Sequence, residues 1–289
     1  MSWVSIEKDE CTECGLCVTR CIRCFTDTPG EIVVDANEDT CNLCGHCVAL
    51  CPTMAITHHK MNMDDFIELD NEVGINTDQL VQLIRRRRSH RDFTDKEIPK
   101  KDLETLVDLC RYCPTGSNVQ NVGIVVVQNR NKIQRLSDLT IESFQKAAGI
   151  LKQRADRLKA EGKDIPEELN YRLARLNDMN LIKEAKESGL DPVFYKAPVV
   201  MVFHSPEFTS APKDNCMIAA QTVVLTAMTM GLETCYIGIF EAASTYPPII
   251  EELQLPPDHR VLSVLIMGYP TLTYLRAVDR KPMNVRWDT

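Results

Sequence analysis

The sequence predicts a chain in two parts, a small cysteine-rich module at the N-terminus and a larger core of mixed helices and strands behind it. Three observations lead there. Nine of the thirteen cysteines fall between Cys11 and Cys51. Four short apolar runs, at 122–128, 198–203, 234–240 and 261–267, read as buried strands. Between and before them lie stretches whose apolar residues recur at helical spacing.

A length of 289 residues suits one medium core plus an appendage. Hydrophobic residues at 44% and charged residues at 26% are ordinary for a globular chain. No apolar run approaches the roughly 20 residues that span a bilayer, and the start "MSWVSIEKDE" has neither the basic head nor the apolar body of a signal peptide. A cytoplasmic protein without a membrane partner is expected. In such a chain regularly spaced cysteines point to metal or redox chemistry rather than to disulfides.

The N-terminal module, 1–60, contains a repeat. "CTECGLCVTRC" begins at 11 and "CNLCGHCVALC" at 41, both reading C-x2-C-x2-C-x3-C. Three thiolates at steps of three wrap one corner of a cubic iron–sulfur cluster, and the fourth reaches away to the other cluster. This resembles the bacterial two-cluster ferredoxins. On that logic Cys11, Cys14, Cys17 and Cys51 hold one 4Fe-4S cluster, and Cys41, Cys44, Cys47 and Cys21 hold the second. Gly15 and Gly45 give the backbone room to fold around the core. Structural zinc usually takes two well-separated ligand pairs instead. Pro52 follows Cys51 as the pattern requires, but Ile22 follows Cys21, and Cys24 is either a spare buried thiol or a substitute ligand. The module carries a net charge of −5 out of −8 for the chain, which disfavours nucleic acid as its partner.

Residues 61–76 read as a linker, and Asn76 or Thr77 caps a helix with Leu80, Leu83 and Ile84 at helical spacing. A turn "TGSN" precedes the first strand. Within 131–190 one stripe runs Ile141, Phe144, Ala148, Leu151, Ala155 and Leu158, and after "GKDIPEE" a second runs Leu169, Leu173 and Leu176 toward Gly189 and Pro192. This is a helical hairpin inserted in the core, either simply solvated or acting as a cover over a substrate site. A long apolar helix in "DNCMIAAQTVVLTAMTMGLE" is expected to be capped by Asp214 and stopped at Gly231.

The stretch "RRRRSHRDF", 85–93, concentrates six basic side chains at the end of an amphipathic helix, with Ser89 inside the run. Nucleic-acid and localisation labels are exposed tails, so a compact anion site explains it better. Arginine forks bind phosphate in bidentate fashion, and a hydroxyl between them adds a short hydrogen bond.

With "PTGSNVQN" (114–121), "GLETCYIGIF" (231–240) and "MGYPTLTYLRAVDRKP" (267–282), this stretch is similar to the nitroreductase family of flavin enzymes, and the whole chain resembles the ferredoxin-fused members. The resemblance implies an α+β fold, a nitroreductase-like FMN-binding sandwich (77–289, with the 131–190 insertion) preceded by the ferredoxin-like iron–sulfur domain, and an intertwined homodimer. It implies that Arg87, Ser89 and Arg91, with Arg88 adjacent, grip the FMN phosphate and ribityl chain. Pro114, Thr115, Gly116, Asn118 and Gln120 would form the turn that approaches the flavin from the partner subunit, although Asn121 stands where the family has proline. Ile237, Gly238 and Ile239 would place backbone amides near flavin N5, and Arg280, with Lys281 nearby, would add a late phosphate contact. Arg85 and Arg86 read as solvated, His90 as facing away, Met228 and Met230 as core, and Cys113 as a free buried thiol.

The implied activity is an FMN-dependent oxidoreductase that accepts electrons from reduced ferredoxin or a similar low-potential donor. Two 4Fe-4S clusters would carry them one at a time and FMN would pass them in pairs to a small organic acceptor: a nitroaromatic, quinone or activated alkene. No GxGxxG follows a strand, so a Rossmann nicotinamide site is unsupported; many family members use NAD(P)H without one. Two other readings stand beside it. One is an electron relay or redox sensor, and the other is a flavin enzyme running dehydrogenation or reductive dehalogenation. No single catalytic acid stands out.

Overall fold

The computed structural model describes residues 2–29, 31–70 and 72–289, without the side chains of 175–181 and 183. The contacts divide it into two units, 1–75 with 116–119, and 76–115 with 120–289.

The first unit contains β1 (Val4–Ile6), α1 (Leu16–Arg20), β2 (Phe25–Thr28), β3 (Glu31–Val34), α2 (His46–Leu50) and β4 (Ile56–His58). β1 pairs antiparallel with β4, and β2 with β3. The thirty-residue sequence repeat is also a backbone repeat. Glu13 and Leu43 take φ of 52° and 56°, and Gly15 and Gly45 take 72° and 69° immediately before α1 and α2. A β-carbon on Gly45 would come within 3.1 Å of the Phe66 ring, so both backbone angle and space require glycine there. Val4, Phe25, Ala36 and Ile56 form a small core shared with Cys17, Cys24 and Cys47. So few apolar side chains bury little area, and modules of this size generally need metal or covalent support.

The second unit is built on a four-stranded antiparallel sheet. Its strands are β5 (Gly123–Val127), β6 (Val199–Pro206), β7 (Glu233–Tyr236) and β8 (His259–Gly268), in the order β5-β6-β8-β7. Its helices are α3 (Thr77–Arg86), α4 (Lys100–Leu109), α5 (Arg130–Ala160), α6 (Glu167–Glu187), α7 (Pro212–Thr229), α8 (Gly238–Ala243) and α9 (Pro247–Leu253). Side chains alternate across the sheet as a strand requires. Val199, Met201 and Phe203 pack with α4 and α7, whereas Val200 and Val202 pack with α5, α8 and α9. Two apolar cores on the two faces of one sheet give the α+β sandwich expected from the sequence.

Asn76 caps α3 in a full capping box with Gln79. Leu80 and Ile84 of that helix remain exposed. The stripe from Ile141 to Leu158 is the buried or half-buried face of α5, which also starts earlier than its stripe: Asn129 caps it by accepting from the Lys132 amide at 3.0 Å, and Ile133, Leu136 and Leu139 enter the core. In α6 Leu169 is buried and Leu173 half-buried. The side chain of Leu176 lies outside the described residues.

Two expectations are corrected. The run 234–240 is not one strand; β7 ends at Tyr236 and Gly238 opens α8, because Ile237 leaves extended geometry at φ −114°, ψ 81° and the next residues close a helical turn. Asp214 is not the cap of α7. The helix starts at Pro212 behind Ala211, whose fixed-φ neighbour is well placed at a first helical position, and Asp214 sits in the first turn, where its charge suits the helix dipole. α7 does end just before Gly231.

Between α6 and β6, the buried Asp191 carboxylate accepts from the Ser137 hydroxyl at 2.7 Å, from the amides of Val193 and Phe194 at 3.1 Å, and from that of Lys196 at 3.1 Å. Asp191→Ala would leave these donors buried and unpaired. A loss of at least ~2 kcal/mol is expected, measurable as a lower urea midpoint, while Asp191→Asn should retain part of it. Among the described residues no helix is long and apolar enough to cross a membrane.

Candidate functional sites

In the first unit one cavity is lined by Cys11, Cys14, Cys17 and Cys51, together with Gly15, Thr53 and apolar side chains such as Ile6, Ile32 and Ile56. Three come from the first cysteine run and the fourth from the end of the second. The other four cysteines also approach one another. Burial pushes Cys47 up to about 11, and the nearby Cys44, Cys21 and Cys41 push it the same way. Cys51 behaves oppositely. Burial raises it, but the Thr53 hydroxyl and the amides of Thr53, Ala55 and Ile56 outweigh burial and lower it. Hydrogen-bond donors around a sulfur favour the thiolate, the form that binds iron.

Among the described residues no three His, Cys, Asp or Glu side chains converge to hold a single metal ion. Cys11, Cys14, Cys17 and Cys51 instead line one cavity, and Cys21, Cys41 and Cys44 lie near enough to Cys47 to act on its charge. Cys24 is buried, donates to the Thr40 carbonyl at 3.3 Å, and is pushed up to about 12 first by burial and then by Cys21. A thiol held in its protonated form suits the spare-thiol reading. His58, which the sequence did not single out, is buried with Nε2 3.4 Å from the Cys41 sulfur.

In the second unit the basic run leaves α3 at Arg86 and continues extended. The His90 amide donates to the Thr234 carbonyl at 3.1 Å, the Thr94 amide to that of Tyr269 at 2.9 Å, and the Thr271 amide to that of Asp92 at 3.1 Å. These bonds anchor the run along β7 and the end of β8. Arg87, Arg88 and Ser89 are half-buried, whereas Arg85, Arg86 and Arg91 are exposed. Arg88 stacks 5.8 Å from the Tyr274 ring centre and Arg91 lies 5.4 Å from that of Tyr195.

Burial lowers the His90 pKa, and Arg88 and Arg87 lower it further against the pull of Asp92. Burial raises Glu233, which Arg86 and Arg87 partly offset. His90 Nε2 and Glu233 Oε2 stand 3.6 Å apart, and each is pushed toward its neutral form. Among the described residues four buried side chains carry polar atoms without a hydrogen-bond partner: Arg88 at Nε, Asn121 at both amide atoms, Glu233 at Oε2 and Ser263 at Oγ. A buried guanidinium N–H without an acceptor is costly, and a phosphate or carbonyl oxygen would satisfy it.

The turn after α4 is strained. Ser117, Asn118 and Gln120 have φ of 53°, 55° and 46°, which non-glycine residues adopt at a cost. Thr115 steadies it by accepting from the Gln120 amide at 3.1 Å, and Pro114 is exposed. Gly116 and Asn118 belong to the first unit, where the Asn118 amide donates to the carbonyls of Asn42 and Leu43 at 2.9 and 3.0 Å. Ile237 is buried, and Gly238 and Ile239 form the first turn of α8, where backbone N–H groups have no partner within the helix. Arg280 and Lys281 are exposed in a C-terminal stretch without regular structure. Cys113 donates to the Thr222 hydroxyl at 3.2 Å.

Residues 84–269 match the model of the nitroreductase family. The chain belongs to the nitroreductase family. Residues 34–57 match a 4Fe-4S binding domain, so this nitroreductase-type oxidoreductase carries an N-terminal ferredoxin-type motif around Cys41, Cys44, Cys47 and Cys51. A 4-nitrobenzoate reductase of Pseudomonas putida is 28% identical over 200 residues, covering 67% of this chain and 86% of that protein. A chloronitrobenzene nitroreductase of Comamonas testosteroni is 26% identical over 204 residues, covering 65% and 85%. Among solved structures, a nitroreductase with bound FMN from Bacteroides fragilis superposes with a TM-score of 0.54 at 20% identity, covering 73% of this chain and all of that one. The nitroreductase match begins at residue 84, after the cysteine repeat, whose second run falls within the 4Fe-4S match.

Proposed function

We propose that this chain is an FMN-dependent oxidoreductase that couples a low-potential one-electron donor, reduced ferredoxin or a protein like it, to reduction of a small organic acceptor. The observation that carries the reading is the joining of a nitroreductase-family domain at 84–269 to a 4Fe-4S motif at 34–57 in one chain. Bound clusters supply single-electron transfer, and bound FMN gathers single electrons into a two-electron reduction.

Cys11, Cys14, Cys17 and Cys51 hold one cluster, supported by the cavity they line. Cys41, Cys44, Cys47 and Cys21 hold the second, supported by their mutual proximity. Arg87, Arg88 and Ser89 take the FMN phosphate, with Arg91 at the edge. The unpartnered Arg88 Nε supports this assignment, and the orphaned Asn121 amide is a further donor and acceptor for the flavin. Gly238 and Ile239 offer backbone N–H groups from the first turn of α8.

Two copies of the chain pair, with the turn 114–120 and the late Arg280 and Lys281 completing the partner's site. Exposed apolar side chains on α3 (Leu80, Ile84) and in the C-terminal stretch (Leu275, Met283, Trp287) support an interface there. The acceptor is a planar nitroaromatic, quinone or activated alkene; the nitroaromatic case draws on the substrates named for the relatives.

The test is turnover under strict anaerobiosis. Reduced ferredoxin should drive sustained, stoichiometric reduction of 4-nitrobenzoate, with product identified chromatographically. Electron uptake that stops after one filling of the cofactors would make the protein a relay and overturn the reading.

A further inference from the structure

His58 ends β4 and is 1% exposed, sealed in the core of the first unit. Both ring nitrogens have a defined neighbour. The Lys60 backbone amide donates to Nδ1 at 3.2 Å, and Nε2 lies 3.4 Å from the Cys41 sulfur. A backbone N–H always donates, so Nδ1 must offer a lone pair, and the single proton of a neutral imidazole resides on Nε2. A cluster-bound thiolate has no proton to give. The contact therefore runs in one direction, from Nε2–H to the sulfur.

We propose that His58 is a positioning residue that raises the reduction potential of the cluster bound through Cys41, and so makes the two clusters unequal. The proposal rests on the cluster reading above. An N–H donor withdraws negative charge from the thiolate, and the reduced cluster, carrying one more negative charge, gains more from it than the oxidised one does. The other half of the repeat has no histidine in this place, and the donors around its Cys51 ligand are instead the Thr53 hydroxyl and the amides of Thr53, Ala55 and Ile56. Thirty residues earlier stands Thr28, whose hydroxyl is committed to the Glu31 carbonyl at 2.6 Å. The sequence repeat is thus symmetric in its ligands and asymmetric in what donates to them. In a chain whose donor gives electrons singly, an uneven pair of clusters favours one resting place for the electron.

The test is an anaerobic redox titration of the whole loaded protein followed by electron paramagnetic resonance. In His58→Phe one midpoint should fall by about tenfold in the one-electron equilibrium, 59 mV, with the other unchanged, and His58→Gln, which keeps an N–H, should lie between. Midpoints of His58→Phe within twofold of wild type would overturn the proposal. Pulsed resonance of the reduced wild-type protein labelled with nitrogen-15 histidine needs no variant. A histidine nitrogen coupling is expected, and its absence in a protein that shows a normal cluster signal would also overturn it. A wild-type protein without any 4Fe-4S signal would instead sink the cluster reading itself.

Discussion

Arg88→Ala is expected to strip the flavin from the protein. The half-buried guanidinium stacks on Tyr274 and keeps its Nε buried without an acceptor, so the proposed phosphate oxygen completes a site the chain has already desolvated. A charge-assisted hydrogen bond of this kind contributes about 1.5–3 kcal/mol, which corresponds to FMN binding weakened roughly tenfold to a hundredfold. Arg88→Lys keeps the charge but loses the fork and should fall between. FMN fluorescence released on dialysis measures this, with Arg85→Ala as a control at an exposed helix end. Equal retention of flavin by Arg88→Ala and Arg85→Ala would remove Arg88 from the site.

The second large effect is expected at Cys51. By sequence order Cys51 belongs to the run beginning at Cys41, but in space it lines a cavity with Cys11, Cys14 and Cys17. Cys51→Ala should therefore destroy the cluster held by the first run and leave the one at Cys41, Cys44 and Cys47, with a loss of about four irons per chain. Cys21→Ala should do the reverse. Because His58 faces Cys41 alone, the two variants are distinguishable: the cluster that survives in Cys51→Ala should respond to His58→Phe, and the one that survives in Cys21→Ala should not. Iron and sulfide analysis with resonance spectra of the two variants decides between crossed and uncrossed ligation.

What was legible in the sequence follows what physical pattern each feature leaves there. The cysteine repeat was readable because cluster geometry dictates short, regular steps, and the same thirty-residue offset returns in the backbone at Glu13 and Leu43 and at Gly15 and Gly45. The sandwich was readable through four apolar runs, since a strand covered on both faces shows no alternation. That same lack of alternation hid the end of β7. Tyr236, Ile237 and Ile239 look alike as letters, and only the packing of Phe240 and Ala243 into the core shows that the chain has become helical. The α7 cap was misplaced because Asp214 is a good capping residue by type, whereas Pro212 decided where the helix begins.

Within the site, the arginine cluster announced itself by density of charge. Asn121 was noticed only as a departure from the family turn, and its buried, unpartnered amide is visible only in three dimensions. His58 is one of six histidines with no motif around it; its role depends on a neighbour 17 positions away in sequence. Arg280 and Lys281 match a family position, yet within one chain they remain exposed.

The central claim, that electrons enter at the iron–sulfur unit and leave at the flavin, is tested most directly by stopped-flow spectroscopy of the anaerobic, fully loaded protein mixed separately with reduced ferredoxin and with NAD(P)H. The account predicts that ferredoxin bleaches the cluster absorption first and the flavin band afterwards, and that Cys51→Ala slows the flavin phase. Rapid flavin reduction by NAD(P)H with the clusters following would contradict it, and would make the iron–sulfur unit an outlet for electrons.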